Sequence, residues 1–147
     1  MTDLGTFADL VPLDHGLVVV STTRADGTIQ SSVVNAGVID HPRTGEPVVA
    51  FVAAGSSRRL ANLRARPQIS VVLRAGWRWA GVEGRTELVG PDDPFDGVDA
   101  EQRRVLLRDI YTAAGGTHDD WDEYDRVMAD ERRVAVLVTP ERTYGNA

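Results

Sequence analysis

The chain has 147 residues, 42% of them apolar, which fits one domain (1–147) around one hydrophobic core. It contains no cysteine, and all 16 basic residues are arginine, so disulfides, thiolate catalysis, Cys-based zinc sites, Schiff-base chemistry and a P-loop lysine are all excluded. A formal net charge of −6 argues against non-specific nucleic-acid binding; with no bilayer-length apolar run and no signal peptide at Met1-Thr2-Asp3-Leu4, a cytoplasmic protein without nucleic-acid or membrane partners is expected.

In chain order, the amphipathic segment Leu4 to Leu13 predicts an N-terminal helix that packs one face. Leu17-Val18-Val19-Val20-Ser21-Thr22-Thr23 is β-branched and predicts a strand. Asp26-Gly27 is a hairpin turn signal, and Thr28 to Ile39 reads as the returning strand, with Ser31, Ser32 and Asn35 as polar interruptions. Turn formers fill His41 to Pro47 ahead of a third strand, Val48-Val49-Ala50-Phe51-Val52. Gly55-Ser56-Ser57 ends that strand and supplies an N-cap for a helix from Arg58 to Arg66, with Leu60 and Leu63 on its buried side and Pro67 closing it. Ile69 to Arg74 and Trp77 to Val89 form a second hairpin around Ala75-Gly76. Beyond the loop Gly90-Pro91-Asp92-Asp93-Pro94, two helices are predicted, Glu101 to Tyr111 and Asp119 to Met128, followed by a last strand from Arg133 to Thr139. The tail Tyr144-Gly145-Asn146-Ala147 is expected to lean on another part of the chain. This order predicts a mainly β (α+β) barrel of mostly antiparallel strands. It is not βαβαβ and holds no G-x-G-x-x-G, which disfavours a Rossmann fold.

The strongest chemical signal is Ser56-Ser57-Arg58-Arg59-Leu60-Ala61-Asn62-Leu63-Arg64-Ala65-Arg66. Two arginines in the first turn of a helix oppose its macrodipole, and a bound anion reverses that sign, because free N–H groups, serine hydroxyls and guanidinium forks all present donors. Phosphate is the natural guest; the alternative is a solvated basic helix paired with acidic neighbours. Alternation places Trp77 and Trp79 on one strand face, where they either flank a planar ring or pack at a subunit interface. The three histidines, His15, His41 and His118, have no metal-ligand spacing, so no metal site is expected. No serine lies in a G-x-S-x-G elbow, and no nucleophile is accompanied by a base. Any catalysis is then carried by a cofactor, and no catalytic side chain is assigned.

The run Arg59-Leu60-Ala61-Asn62-Leu63-Arg64-Ala65-Arg66-Pro67-Gln68-Ile69-Ser70-Val71 resembles the helix-to-strand signature of the flavin/deazaflavin oxidoreductases, relatives of pyridoxamine 5′-phosphate oxidase. That signature is a basic residue, then N-L-R, then R/D-P. Glu83-Gly84-Arg85 looks like the E-G strand that follows in the family. Asp120-Trp121-Asp122-Glu123-Tyr124 leading to Glu131-Arg132-Arg133-Val134 is similar to the actinobacterial B group. The likeness runs from Leu17 to Gly145. It implies a split β-barrel with a few flanking helices, working as a homodimer with two cofactor sites at the interface, each drawing residues from both chains. Many members of the B group use coenzyme F420, a deazaflavin with a phospholactyl-polyglutamate tail; others bind FMN, flavin adenine dinucleotide or haem. On this resemblance Ser57 and Arg59 hold the cofactor phosphate with Asn62 nearby, and Arg58 is expected to clamp it alongside Arg59; many relatives have lysine at the Arg59 position. Ser32, Val33 and Asn35 lie beside the ring, and Trp77 and Trp79 approach it from the partner chain. The activity implied is transfer of hydride from reduced F420 to an electron-poor double bond of a small molecule. The alternatives are an FMN oxidoreductase of the same fold and a non-catalytic cofactor carrier or haem-binding protein.

Overall fold

In the computed structural model, which describes residues 3–146, six strands pair antiparallel and close into a ring. They are β1 (Leu17–Thr23), β2 (Ile29–Asp40), β3 (Pro47–Ala53), β4 (Gln68–Ala75), β5 (Arg78–Val89) and β6 (Val134–Gly145), joined in the order β1-β2-β3-β6-β5-β4, with β4 returning to β1. Four α-helices flank them: α1 (Gly5–Leu10), α2 (Arg58–Ala65), α3 (Ala100–Ala113) and α4 (Trp121–Asp130). Among the described residues no helix is long and apolar enough to cross a membrane.

Alternation along β1 turns Val18, Val20 and Thr22 into the barrel and leaves Leu17, Val19 and Ser21 outside. Val71, Leu73, Val82, Val136 and Val138 meet them inside. Phe7 and Leu10 of α1 plug one end of this core, and Leu60 and Leu63 of α2 plug the other. Two strands read as unbroken apolar runs, β3 and the first half of β6, because they are buried on both faces. Their outer side chains, Val48, Ala50, Ala135 and Leu137, lie under Leu106, Leu107 and Ile110 of α3 and Tyr124 of α4. The backbone of α3 comes so close to β2 that a Cβ on Gly37 would lie 2.5 Å from the Ala113 carbonyl carbon. Asp99 and Gln102 start α3 with a reciprocal capping box, and Asp120 caps α4 by accepting from the Glu123 amide.

Four expectations change. The N-terminal helix stops at Leu10 and continues as a 3-10 turn over Val11–Asp14, where Pro12 cannot donate a helical hydrogen bond. Strand β5 starts at Arg78, so Trp77 sits in the turn at Gly76 and not on a strand face with Trp79. The last strand does not end at Thr139. It runs to Gly145, because β5 is long enough to pair with it as far as Ala80↔Gly145. Its Pro140 falls at the register shift beside Gly84, where the ladder is already broken and a missing N–H costs least. The expected tail is thus strand up to Gly145, and Asn146 ties it to the β4–β5 hairpin by accepting from the Trp79 amide at 2.8 Å. Ala147, like Met1 and Thr2, lies outside the described residues.

Candidate functional site

Strand β3 delivers the chain to Ala54-Gly55-Ser56, which turns it into α2. Ser57 occupies the N-cap position with extended backbone (φ −69°, ψ 146°), yet its hydroxyl accepts no bond from the helix. The expected side-chain cap is therefore absent. The Ser57 Oγ is buried and has no hydrogen-bond partner among the described residues, which costs free energy unless something else meets it.

The arginines of this segment divide into two kinds. Arg64 pairs with Asp93 at 2.7 Å and fastens the Gly90–Pro94 loop, while Arg66 donates to the Thr23 carbonyl at 2.8 Å and fastens β1. Arg58 and Arg59 have no carboxylate partner among the described residues. Arg58 is exposed; Arg59 is half-buried, and its Nε donates to Ser32 Oγ at 3.1 Å. Burial pulls the Arg59 pKa down from its ordinary value, and the charge of Arg133 adds to the effect. Arg133 itself is held by Glu131 at 2.7 Å. A half-buried guanidinium that feels another guanidinium and has no carboxylate partner among the described residues is an arrangement that an anion would relieve.

Beside Arg133 a cleft of about 190 Å³ opens between the outer face of the barrel and the helices. Its walls include Asn35, Val52, Tyr111, Tyr124, Met128 and Arg133. Asn35 donates its Nδ2 to the His15 carbonyl at 2.7 Å, leaving Oδ1 as an acceptor. Both phenols are committed as donors: Tyr111 to the Thr117 carbonyl and Tyr124 to the Leu107 carbonyl. Burial pushes the Tyr124 hydroxyl up to about 12. A broader groove lies on the other side of the α2 mouth, beside Gly55 and Ser56. It carries Asp92, Asp130 and Glu131 against the single cation Arg132, which Asp92 already binds. The mouth is therefore cationic toward Ser32 and Arg133, and acidic toward the Gly90–Pro94 loop.

The structure brings Ser57, Arg58, Arg59 and Ser32 to one place, with Asn35 on the neighbouring outer surface. Val33 lies on that outer surface too, 62% exposed and paired with Val19. Asn62 turns away: its amide is buried and donates to Thr22 and Gln30, both at 3.0 Å, so it locks α2 to β1 and β2. Trp77 and Trp79 sit near β5, the strand diametrically opposite β2 in the ring. Trp77 is 93% exposed, and Trp79 packs edge-on against Tyr144 with 5.9 Å between ring centroids. Within one chain neither reaches the α2 mouth. Sequence reasoning missed Arg133 as a member of the site, although a basic residue directly before the apolar run Val134–Val138 marks a strand entrance. It also missed the paired phenols, since nothing local in the sequence shows that Tyr111 and Tyr124 converge from two helices.

A closed barrel of this strand order, with a basic helix mouth at its rim, defines a split β-barrel of the pyridoxamine 5′-phosphate oxidase type. Residues 7–146 match that family throughout, and the chain belongs to it. Solved structures with the same fold include the conserved hypothetical protein Rv2991 of Mycobacterium tuberculosis, at TM-score 0.70 and 21% identity over 99% of this chain and 84% of that one. An F420 reductase superposes at TM-score 0.63 and 18% identity, covering 92% of this chain and 94% of its own. A pyridoxamine 5′-phosphate oxidase-related, FMN-binding protein of Nostoc punctiforme superposes at TM-score 0.66 and 10% identity, covering 97% and 84%.

Proposed function

We propose that this chain is an oxidoreductase that holds the phosphate of reduced coenzyme F420 at the mouth of α2 and presents the deazaflavin ring along the cleft at Asn35. The observation that carries the reading is the half-buried Arg59 guanidinium, without a carboxylate partner among the described residues, together with the orphaned Ser57 hydroxyl at the start of the same helix. Those groups fit a phosphate: one supplies a charged fork, the other a neutral donor, and the uncapped first turn adds backbone N–H groups. When bound, the deazaflavin supplies hydride for an electron-poor double bond such as an enone or imine.

The chain's own contribution is binding and orientation. Arg59, Arg58 and Ser57 hold the phosphate, and Arg133 adds positive potential between it and the cleft. The Oδ1 of Asn35, left free as an acceptor, would take a hydrogen bond from a ring N–H, while Val52, Tyr111 and Tyr124 would form a mostly dry wall. Both phenols donate to main-chain carbonyls, so a proton needed for a reduced product would come from solvent. The reading includes a second copy of the chain. Val72, Val19 and Val33 form one outward row across β4, β1 and β2, and Leu17, Val19 and Val33 are 39, 43 and 62% exposed on a face where a lone antiparallel sheet carries polar residues. A partner seated there would bring its own Trp77 and Trp79 toward the ring.

FMN is a second reading, and the acidic groove of Asp92, Asp130 and Glu131 favours it. With Asp92 on Arg132 and Glu131 on Arg133, the groove keeps one carboxylate in excess, Asp130, and has no unpaired cation among the described residues for a polyglutamate tail, whereas FMN has no anion beyond its phosphate. Titrating the purified chain with F420 and with FMN, followed by absorbance, tests both. Saturable F420 binding at the lower concentration supports the proposal. Tight FMN binding without F420 binding replaces it, and a bound haem overturns the oxidoreductase reading altogether.

A further inference from the structure

A second cavity, of about 350 Å³, lies between α3 and α4 on the helix-covered side of the barrel. That volume is within the range of small-molecule sites. Leu107 and Ala100 of α3, Met128 and Ala129 of α4, and Pro91 of the loop give it apolar walls. Four guanidiniums border it, and three are already neutralised. Arg104 binds Glu101 and Asp125, Arg132 binds Asp92, and Arg133 binds Glu131. The fourth, Arg103, is half-buried, and its side chain makes one long bond, to the Gly90 carbonyl at 3.4 Å. No carboxylate lies within ion-pair distance of it among the described residues.

We infer that this cavity is a binding site for an organic monocarboxylate with an apolar body. One uncompensated guanidinium neutralises one negative charge, and its planar fork fits a carboxylate in a bidentate pair. A dianion would bring one negative charge more than the single unpaired guanidinium neutralises. A neutral apolar guest would leave the guanidinium desolvated and unpaired. The site stands whether or not the redox reading does. It shares only Met128 and Arg133 with the cleft at Asn35, and the bare face at β1, where a second copy is proposed, lies across the barrel.

Calorimetric titration of the full chain with octanoate tests this, with octan-1-ol and inorganic phosphate as the neutral and body-less controls. Octanoate is expected to bind saturably and to be displaced by neither control. Arg103→Gln is expected to weaken it about tenfold or more, and Ala129→Phe, which fills the cavity, to abolish it. If Arg103→Gln proves too unstable to titrate, Ala129→Phe alone decides. Arg59→Ala is expected to leave octanoate affinity within about twofold while weakening cofactor. The inference is overturned if the native chain does not bind octanoate, if a folded Arg103→Gln or Ala129→Phe binds it as well as the native chain does, or if Arg59→Ala removes octanoate binding.

Discussion

Truncating Arg59 removes one hydrogen bond, to Ser32 Oγ, and one unfavourable neighbour, the charge of Arg133. The two losses oppose each other, so Arg59→Ala is expected to shift Tm by no more than about two degrees, as a thermal melt would show. A charge-assisted contact to phosphate is worth about 1.5–3 kcal/mol, so cofactor affinity is expected to fall about 10–100-fold. Ser57→Ala separates the two roles of a helix-start serine more sharply. Loss of an N-cap bond ordinarily costs about 0.5–2 kcal/mol. Here no such bond exists and the hydroxyl is buried without a partner among the described residues, so the variant is expected to melt at the native temperature or slightly above it while binding cofactor more weakly. A clear drop in Tm would return Ser57 to a capping role. Ser57, Arg58 and Arg59 were legible in the sequence because donors at a helix mouth announce themselves locally. Asn62 was not, because its partners Thr22 and Gln30 are 40 and 32 residues away.

The pairing of α3 with α4 is held by Asp125, which accepts from Arg108 at 2.9 Å and from Arg104 at 2.9 Å. The hydrogen bond from Arg108, with Arg104 adding to it, holds the Asp125 carboxyl below its ordinary pKa. A lowered folded-state pKa means that the carboxylate lends stability above the unfolded value and loses it as pH falls through the folded one. Acid titration of the native chain should therefore loosen α4 before the barrel, and Asp125→Asn should lower Tm by a few degrees at neutral pH and much less in acid. Circular dichroism melts at neutral and acid pH check this; an equal drop at both would remove Asp125 from the clamp. Both helices were visible as periodic apolar patterns, Val105-Leu106 with Ile110 in the first and an acidic start in the second. Their arrangement was not, because an ion pair between Arg108 and Asp125 joins residues that no local pattern connects. The same limit hid the full length of β6: the sequence breaks at Pro140, and only the length of β5 across from it carries the strand to Gly145.

At the scale of the whole molecule, a barrel of mostly antiparallel strands and the helix between β3 and β4 were legible from turn signals and apolar runs, and the resemblance supplied the split-barrel type. The order of the strands around the ring was not legible, because β3 meets β6 and β1 meets β4 across long separations. Which faces stay bare was not, since β1 reads as an alternating strand whether its outer valines meet water or a partner. The dimer proposed above assigns those valines an interface. Val33→Asp is expected to shift sedimentation from dimer to monomer and, by removing the partner's contribution, to weaken cofactor binding as well. A native chain that sediments as a monomer yet still binds cofactor would detach the two. Ring closure also limits how copies can meet. Every strand has a neighbour on both sides over part of its length, but Ile29 to Asn35 of β2 pair with β1 alone and Arg142 to Gly145 of β6 pair with β5 alone, so the edges open to a stranger's main chain are short stretches. Edges this short give an added strand little ladder to extend, which limits how far an acidic protein with a greasy flank can grow into fibres.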